Sequence, residues 1–431
     1  MKNKKIWLIM ISVFILGLNI FLPCVSASTS ISEEWYKTWG GGNNDRATAL
    51  AIDSSDNIYI AGYSEYIETQ ATSWAFINLV KYDSSGLEQW SRAWNASQFD
   101  YCNGMVLDSS DNIYLGGGTT LSDLSDFCLI KYDSSGVQLW NRTWGGDKID
   151  FGLAMTIDSL DNVYLAGYTR SFGAGDVDIC LVKYNSLGVF QWERIWNGTQ
   201  GEACYGITID SSDNIYLAGY TSSFSTGDTD FCLIKYDSSG VLQWNKIWGG
   251  NEDDRCHKII IDSLGNIYIT GDTGNFSEQH GEMYLARLDN SGVVQWNLTF
   301  GGTGNDISYG LAMDSSNDLY FIGHHYNLGM MLLKYNSSGA LQFNQTGGID
   351  YIDFCYAMAL DSSGNIFFAG QTNSYGSGGD DMILVKVTQD SDEPSDDTSA
   401  TTIPGYDSLF MICLICTVSV FLIKKRRKSL K

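Results

Sequence analysis

Proline is almost missing from this chain, occurring three times in 431 residues, at 23, 394 and 404. The stretch 24–393 therefore keeps every backbone N–H available for a hydrogen-bonded ladder, as a protein built from sheet requires. Histidine is equally scarce, with four residues (257, 280, 324, 325) and only His324-His325 close together. No H-E-x-x-H, G-x-S-x-G or phosphate-loop pattern occurs, so the common signatures of zinc hydrolases, serine hydrolases and nucleotide enzymes are absent. Basic residues are few: 26 Lys and Arg stand against 50 Asp and Glu, a net charge of −24. Such a field argues against nucleic acid and anionic surfaces as partners and favours cations, cationic partners or a high-salt habitat.

Nine of the basic residues sit in two terminal clusters, where they carry topological information. Lys2, Lys4 and Lys5 precede an apolar run from Ile6 to Leu22 and a small-residue site at Val25-Ser26-Ala27, the layout of a secretory signal peptide over residues 1–27. At the other end, a span at 405–423 is followed by Lys424, Lys425, Arg426, Arg427 and Lys428, a basic tail (424–431) that the positive-inside tendency leaves in the cytoplasm. A single-pass membrane protein with its body outside is expected, its C-terminal helix being the membrane contact. Residues 388–404 are acidic and without pattern, which suits a disordered stalk. Seven Asn-x-Ser/Thr sequons, at Asn95, Asn141, Asn197, Asn275, Asn297, Asn336 and Asn344, fit a glycosylated exterior.

Between the ends the sequence repeats. Aligning on Asp53 finds the same unit at Asp108, Asp158, Asp210, Asp262, Asp314 and Asp361, a period of the length seen in propeller blades. Each unit holds four short apolar runs separated by turn residues, which predicts four strands. Asp210 to Asn214 and Asp237 to Gly240 place Asp, Asn or Gly where tight hairpins need positive φ. The chain opens on a lone fourth-strand pattern, Glu34 to Gly41, and the last unit ends without one. The first segment thus completes the seventh unit and removes an open sheet edge. The reading is an all-β, seven-bladed propeller of four-stranded antiparallel blades over residues 32–387; a solenoid is the alternative, and it leaves the N-terminal strand without a partner.

Blades covered on both faces should read as continuously apolar, as Gly206 to Ile209 does. Tryptophans four apart in the fourth strands, such as Trp192/Trp196 and Trp244/Trp248, fall on one face; they serve either as packing between blades or as sugar-stacking platforms. The repeats resemble the SBBP family of β-propeller repeats through the segments Asp53 to Tyr63, Asp108 to Gly117, Asp158 to Thr169 and Asp210 to Thr221. That resemblance implies a fold and a surface location and supplies no activity. Ile403-Pro404-Gly405-Tyr406, ahead of the apolar span, resembles the sorting motif of archaeal C-terminal signals.

Function is expected on the face carrying the variable two-to-three loops. Eight residues before each repeat Asp stands another acid: Asp45, Asp100, Asp150, Glu202, Asp254, Asp306 and Asp353. With first strands innermost these carboxylates ring the channel mouth, as candidate ligands for Ca²⁺ or another cation; the competing reading makes them turn acceptors required by every blade. Seven cysteines of the exterior share two repeat slots, one of which also takes Ala47, Gly152 and Ser308, leaving buried thiols and disulfides both open. Together these features point to a non-catalytic surface module that recognises a glycan or another surface protein; an extracellular propeller hydrolase or lyase is the alternative, with residues unique to one blade (Arg255, His257, His324, His325) as those to watch.

Overall fold

The computed structural model describes residues 30–69, 72–121, 124–274, 281–301, 304, 306–325, 329–346 and 354–390. The expected signal peptide and C-terminal span lie outside these residues. Among the described residues no helix is long and apolar enough to cross a membrane.

Seven four-stranded antiparallel sheets form the structure, each with its strands in sequential order except the last. In blade four the strands run Glu202–Ile209, Ile215–Thr221, Asp230–Tyr236 and Leu242–Trp248. In the seventh sheet, Phe354–Leu360, Ile366–Thr372 and Asp381–Asp390 are completed by Ser30–Trp39, the N-terminal strand, paired with the third strand from Ser30↔Asp390 to Trp39↔Met382. The closure read from the phase of the repeat is therefore the observed one.

The local chemistry of the hairpins explains the D-S-S-D-N-x-Y pattern. Asp158 Oδ1 accepts the backbone N–H groups of Leu160 (3.0 Å) and Asn162 (2.8 Å), while Oδ2 accepts the Tyr164 hydroxyl (2.9 Å) and faces Lys183 Nζ at 3.3 Å. The next acid in the turn, Asp161, has φ of 61° and bonds back to the preceding blade, accepting from Ser109 N (3.0 Å) and Ser109 Oγ (2.8 Å). Asp56 does the same for Ser362 across the ring closure. One turn thus shapes its own hairpin and stitches two blades.

Continuous burial is found in the second and third strands, as in Ile215–Thr221 and Asp230–Tyr236. The first strands are less fully buried, as in Asp100–Leu107, Asp150–Ile157 and Asp254–Ile261, which differs from the expectation because one of their faces lines the central channel. Tryptophans pack at the blade junctions: Trp192 meets Tyr164 of its own blade edge-on at 5.9 Å and lies against a cluster shared with blade four, and Arg194 covers it at 4.5 Å while its Nε bonds Gly240 O of the next blade at 2.6 Å. All seven cysteines among the described residues are buried free thiols; burial pushes those of Cys102, Cys204 and Cys355 up to about 12.

Every first strand carries a β-bulge. In blade four Cys204 pairs with Gly219 and Gly206 with Ala218, so Tyr205 has no partner across the ladder. The bulge drives a strand-one carbonyl against strand two: a β-carbon on Gly219 would stand 1.9 Å from Ala203 O, and one on Gly271 1.9 Å from Arg255 O. Glycine in the Ala-Gly-Tyr-Thr segment is a requirement of that close approach.

Candidate functional site

A bulge re-aims the side chain of its extra residue. Five positions before the repeat aspartates stand Thr48, Asn103, Leu153, Tyr205, His257, Tyr309 and Tyr356, and all seven line one cavity of about 380 Å³ at the mouth of the channel. The residues on either side stay small in most blades: Ala47, Cys102, Gly152, Cys204, Cys256, Ser308 and Cys355 before it, and Ala49, Gly104, Ala154, Gly206, Gly310 and Ala357 after it. A varied side chain is thus held in a constant frame seven times over.

The mouth has two unlike halves. In blades one and two the bulge residues are polar and tied to the next blade, the Thr48 hydroxyl to Cys102 O and Asn103 Nδ2 to Gly152 O at 2.8 Å, and blade three has the aliphatic Leu153. In blades four to seven they are aromatic: Tyr205 lies 5.8 Å from the His257 ring and 6.0 Å from Tyr220, and Tyr309 meets Tyr356 edge-on at 5.6 Å. The Tyr356 hydroxyl donates to Gln371 Oε1 (3.1 Å), whose Nε2 donates to Asp380 Oδ2 (2.9 Å). His257 Nε2 is 2.6 Å from Asp272 Oδ1, and its Nδ1 is 3.2 Å from Ser308 O. Arg255 covers the Tyr220 ring at 5.5 Å with Nη2 on Asp253, and Arg46 bonds the Tyr63 hydroxyl at 3.2 Å. The Nε atoms of both arginines are buried and have no hydrogen-bond partner in the protein.

The acids expected around the mouth have a different surrounding. Asp45, Asp100, Asp150, Glu202, Asp254 and Asp306 are at most 2 % exposed, at the heads of the first strands and turned between blades; Asp353 lies outside the described residues. Asp100 Oδ2 accepts Ala96 N (2.8 Å) and Ser97 N (3.0 Å), and its Oδ1 accepts the Thr119 hydroxyl (2.6 Å). Asp150, Glu202 and Asp254 accept Gly146 N, Gly198 N and Gly250 N in the same way. The strand parity that turns each acid away from the axis turns the bulge residue three further on towards it.

Across each of several junctions a second carboxylate faces the first. A β-carbon on Gly249 would stand 2.5 Å from Asp230 Oδ1 and 2.4 Å from Asp254 Oδ2, and one on Gly40 would meet Asp381 Oδ1 and Asp45 Oδ2. Asp126, Asp178, Asp230 and Asp381 each have one buried oxygen without a hydrogen-bond partner. Burial, and then the charge of the facing acid, hold the carboxyls of Asp126 and Asp381 above the ordinary value. Among the described residues no three Asp, Glu, His or Cys side chains converge as a metal-holding group, so a Ca²⁺ ion at such a junction would have two carboxylates to bind.

A carboxyl raised in the folded state contributes stability that is fully present below its unfolded value of about 3.9 and is lost as the pH rises through the folded value. Replacing Asp381 by Asn keeps the oxygen that accepts Ser377 N and removes the charge facing Asp45. The D381N chain should therefore melt higher than wild type at pH 7.5, with the gap closing towards pH 4. A gap of the opposite sign in pH-dependent melting would show that the pair is not repulsive.

Of the histidines singled out, His324 stacks on Phe354 at 6.0 Å and His325 is buried with Nδ1 3.7 Å from Asp306 Oδ1. Asn95, Asn141, Asn197, Asn297 and Asn344 are exposed, Asn336 is half-buried in a turn, and Asn275 is outside the described residues. Of the bulge residues only His257 was singled out at the level of sequence, as unique to one blade, although aligning the repeats marks position −5 as variable between constant neighbours. Lys258 was also missed, although it is the one long side chain in a slot of Ala and Gly.

The fold is that of a seven-bladed β-propeller with one cavity, lined by all seven bulge residues, at one end of its channel. The SBBP family, described as a beta-propeller repeat, matches residues 199–225, 243–276 and 343–376, which supports the propeller-repeat family for these blades. The chain is 26% identical over 110 residues to "Regulatory protein FlaEY" of Caulobacter vibrioides, covering 22% of this chain and 12% of that protein. It is 23% identical over 204 residues to the "Uncharacterized WD repeat-containing protein L264" of Acanthamoeba polyphaga mimivirus, covering 37% of this chain and 15% of that one. The chain thus spans a small part of both relatives. Among solved structures, the Neurospora crassa Pan2 WD40 domain shares the fold at 9% identity and a TM-score of 0.56, over 85% of this chain and 97% of that domain. A polysaccharide lyase of the PL25 family, an ulvan lyase bound to -[GlcA(1-4)Rha3S]-, does so at 10% identity and 0.51, over 80% and 95%. At these identities the likeness concerns the fold alone.

Proposed function

We propose that this protein is a non-catalytic propeller held at the cell surface by its C-terminal segment, and that it recognises a glycan or another surface protein at the bulge-lined mouth. The observation that carries this reading is the contrast at strand one, where seven varied side chains converge on one cavity while their neighbours are held small. A rigid ring presenting variable groups at one opening is the arrangement of a recognition site. The terminal segments, the acidic charge and the exposed sequons support display outside the cell. Half-buried tyrosines at the rim supply flat apolar faces with polar tips, suited to sugar rings.

Full-length protein in detergent, applied to arrayed glycans, should bind a defined subset. The Tyr309→Ala/Tyr356→Ala variant should bind that subset roughly 10-fold more weakly, from about 0.5–1.5 kcal/mol per stacked ring. Absence of binding, or equal binding by the variant, would overturn the glycan reading and move the search to protein partners.

A second reading is favoured by one contact, the His257–Asp272 pair beside Tyr205. A histidine oriented by a carboxylate in a cleft is an arrangement able to move protons, and the ulvan lyase shows that a protein of this fold acts on a polysaccharide. Shortened products on incubation with bound glycans, lost in His257→Ala, would replace binding by turnover.

A further inference from the structure

Lys258 sits where the rest of the ring has no room for such a residue. The equivalent position is Ala49, Gly104, Ala154, Gly206, Gly310 or Ala357 in the other blades, and their small size lets seven first strands crowd around one axis. In blade five Lys258 pairs across the ladder with Thr270 and points into the channel, where it lines both the mouth cavity of about 380 Å³ and the narrower cavity of about 170 Å³ behind it. It therefore stands on the floor of the site described above. Burial drives its ammonium below the ordinary lysine value.

The other basic side chains of this half of the mouth have carboxylate partners, Arg255 on Asp253 and His257 on Asp272. Among the described residues Lys258 has neither an ion-pair partner nor a hydrogen-bond acceptor. Lys258 is half-buried, and an ammonium partly withdrawn from water without a counter-charge costs stability, whereas six blades show that Ala or Gly fits the slot. A residue that breaks a local rule at a cost, inside a cavity, marks a functional position. The missing partner is an anion supplied from outside.

Two features of the surroundings select the kind of anion. Lys258 is immediately preceded by His257, and the rings of Tyr205, Tyr309 and Tyr356 line the same cavity, so the anion arrives attached to something with flat faces and polar edges. The cavity is within the range of small-molecule sites and suits one or two sugar rings. The protein's own acidic exterior repels a highly charged polyanion, so a ligand with one carboxylate per sugar, taken end-on, meets the site best.

We propose that Lys258 anchors the carboxylate of an acidic sugar, whose ring lies against the tyrosines of blades four, six and seven. This deepens the proposed function and rests on it: the mouth must be a glycan site for the anchor to have an occupant. Recognition then combines ring stacking at the rim with a charge-assisted contact at the floor.

Calorimetric titration of the full-length protein with glucuronic acid, an oligogalacturonate and a neutral galacto-oligosaccharide tests it. The acidic sugars should bind about 10- to 100-fold more tightly than the neutral one. Both Lys258→Ala and Lys258→Met should reduce acidic binding to the neutral level, while melting at the same or a higher temperature than wild type. Monomer binding as tightly as oligomer identifies a free sugar acid as the occupant, and tighter oligomer binding identifies a polymer; either supports the proposal. Equal affinity for acidic and neutral sugars, or full acidic affinity in both variants, overturns the anchor and leaves the glycan site standing. No binding of any sugar overturns both. A fall in melting temperature in both variants assigns Lys258 to the fold and overturns the argument from cost.

Discussion

Removing Ser30–Trp39 from the full chain should abolish cooperative unfolding and leave a protein that aggregates. This strand is the outermost of the seventh blade, joined through nine residue pairs to Asp381–Asp390, and it brings Trp35 and Trp39 onto the buried cluster that holds Phe367, Met382 and Leu384. Trp35 packs edge-on against Phe367 at 6.0 Å, and Glu34 pairs with Lys386 at 2.7 Å. At about 0.5–1.5 kcal/mol for each ladder hydrogen bond and about 1.5–3 kcal/mol for each large side chain withdrawn from water, the loss is comparable with the whole stability of a typical domain, about 5–15 kcal/mol. It also exposes an unpaired edge. Circular dichroism melting and size-exclusion chromatography should show a broad transition and large species, and a peptide of residues 30–39 added in trans should restore the sharp melt. A deletion variant that melts sharply near the wild-type temperature would mean that the ring closes without its N-terminal strand.

The second large effect is expected at Asp158, representing the turn aspartate of every blade. Its two oxygens hold two backbone N–H groups, the Asn162 amide, the Tyr164 hydroxyl and Lys183. Tyr164 is fully buried, and its ring lies under Lys183 at 4.7 Å and edge-on to Trp192. Substitution by Ala leaves a buried hydroxyl and a largely buried ammonium without their acceptor, a cost of about 3–5 kcal/mol. Asp158→Asn keeps one acceptor oxygen and should cost about half as much.

The pH dependence at this residue has a definite sign. Burial alone raises the Asp158 carboxyl, but the hydrogen bonds from Asn162, Tyr164 and Leu160 outweigh it and leave the group below its ordinary value. Its contribution is therefore present above the unfolded value of about 3.9 and is lost as the pH falls through the folded value. Denaturant unfolding at pH 7 and pH 3 should show the gap between Asp158→Ala and wild type shrinking at the lower pH. A gap that stays constant would assign the effect to lost packing.

Much of the fold was legible because it repeats. Asp, Asn and Gly in the hairpins specify positive φ locally, and the phase of the repeat fixed the N-terminal strand as the partner of the last blade, a contact spanning more than 340 residues in Ser30↔Asp390. The acids eight residues before the repeat aspartates were legible as a set but not in role. Spacing places them at the heads of the first strands, whereas their direction depends on strand parity, and parity is shifted by the bulge that follows between positions such as Cys204 and Gly206. A bulge has no pattern of hydrophobicity of its own, so residues aimed at the channel such as Tyr205, Tyr309 and Tyr356 stayed hidden. The cysteine slots illustrate the same limit: a small buried residue is readable, but whether two thiols meet is a matter of distance.

By itself, then, the sequence determined the number of blades, their internal hairpins, the closure of the ring and the acidic exterior, because each follows from local turn chemistry, periodicity or charge. Tertiary structure alone decided that the paired carboxylates turn inward between blades and that the bulge residues and Lys258 meet at one mouth. Those outcomes depend on seven strands converging around an axis, where a side chain's neighbours come from other blades and a one-residue shift in register decides which face it occupies.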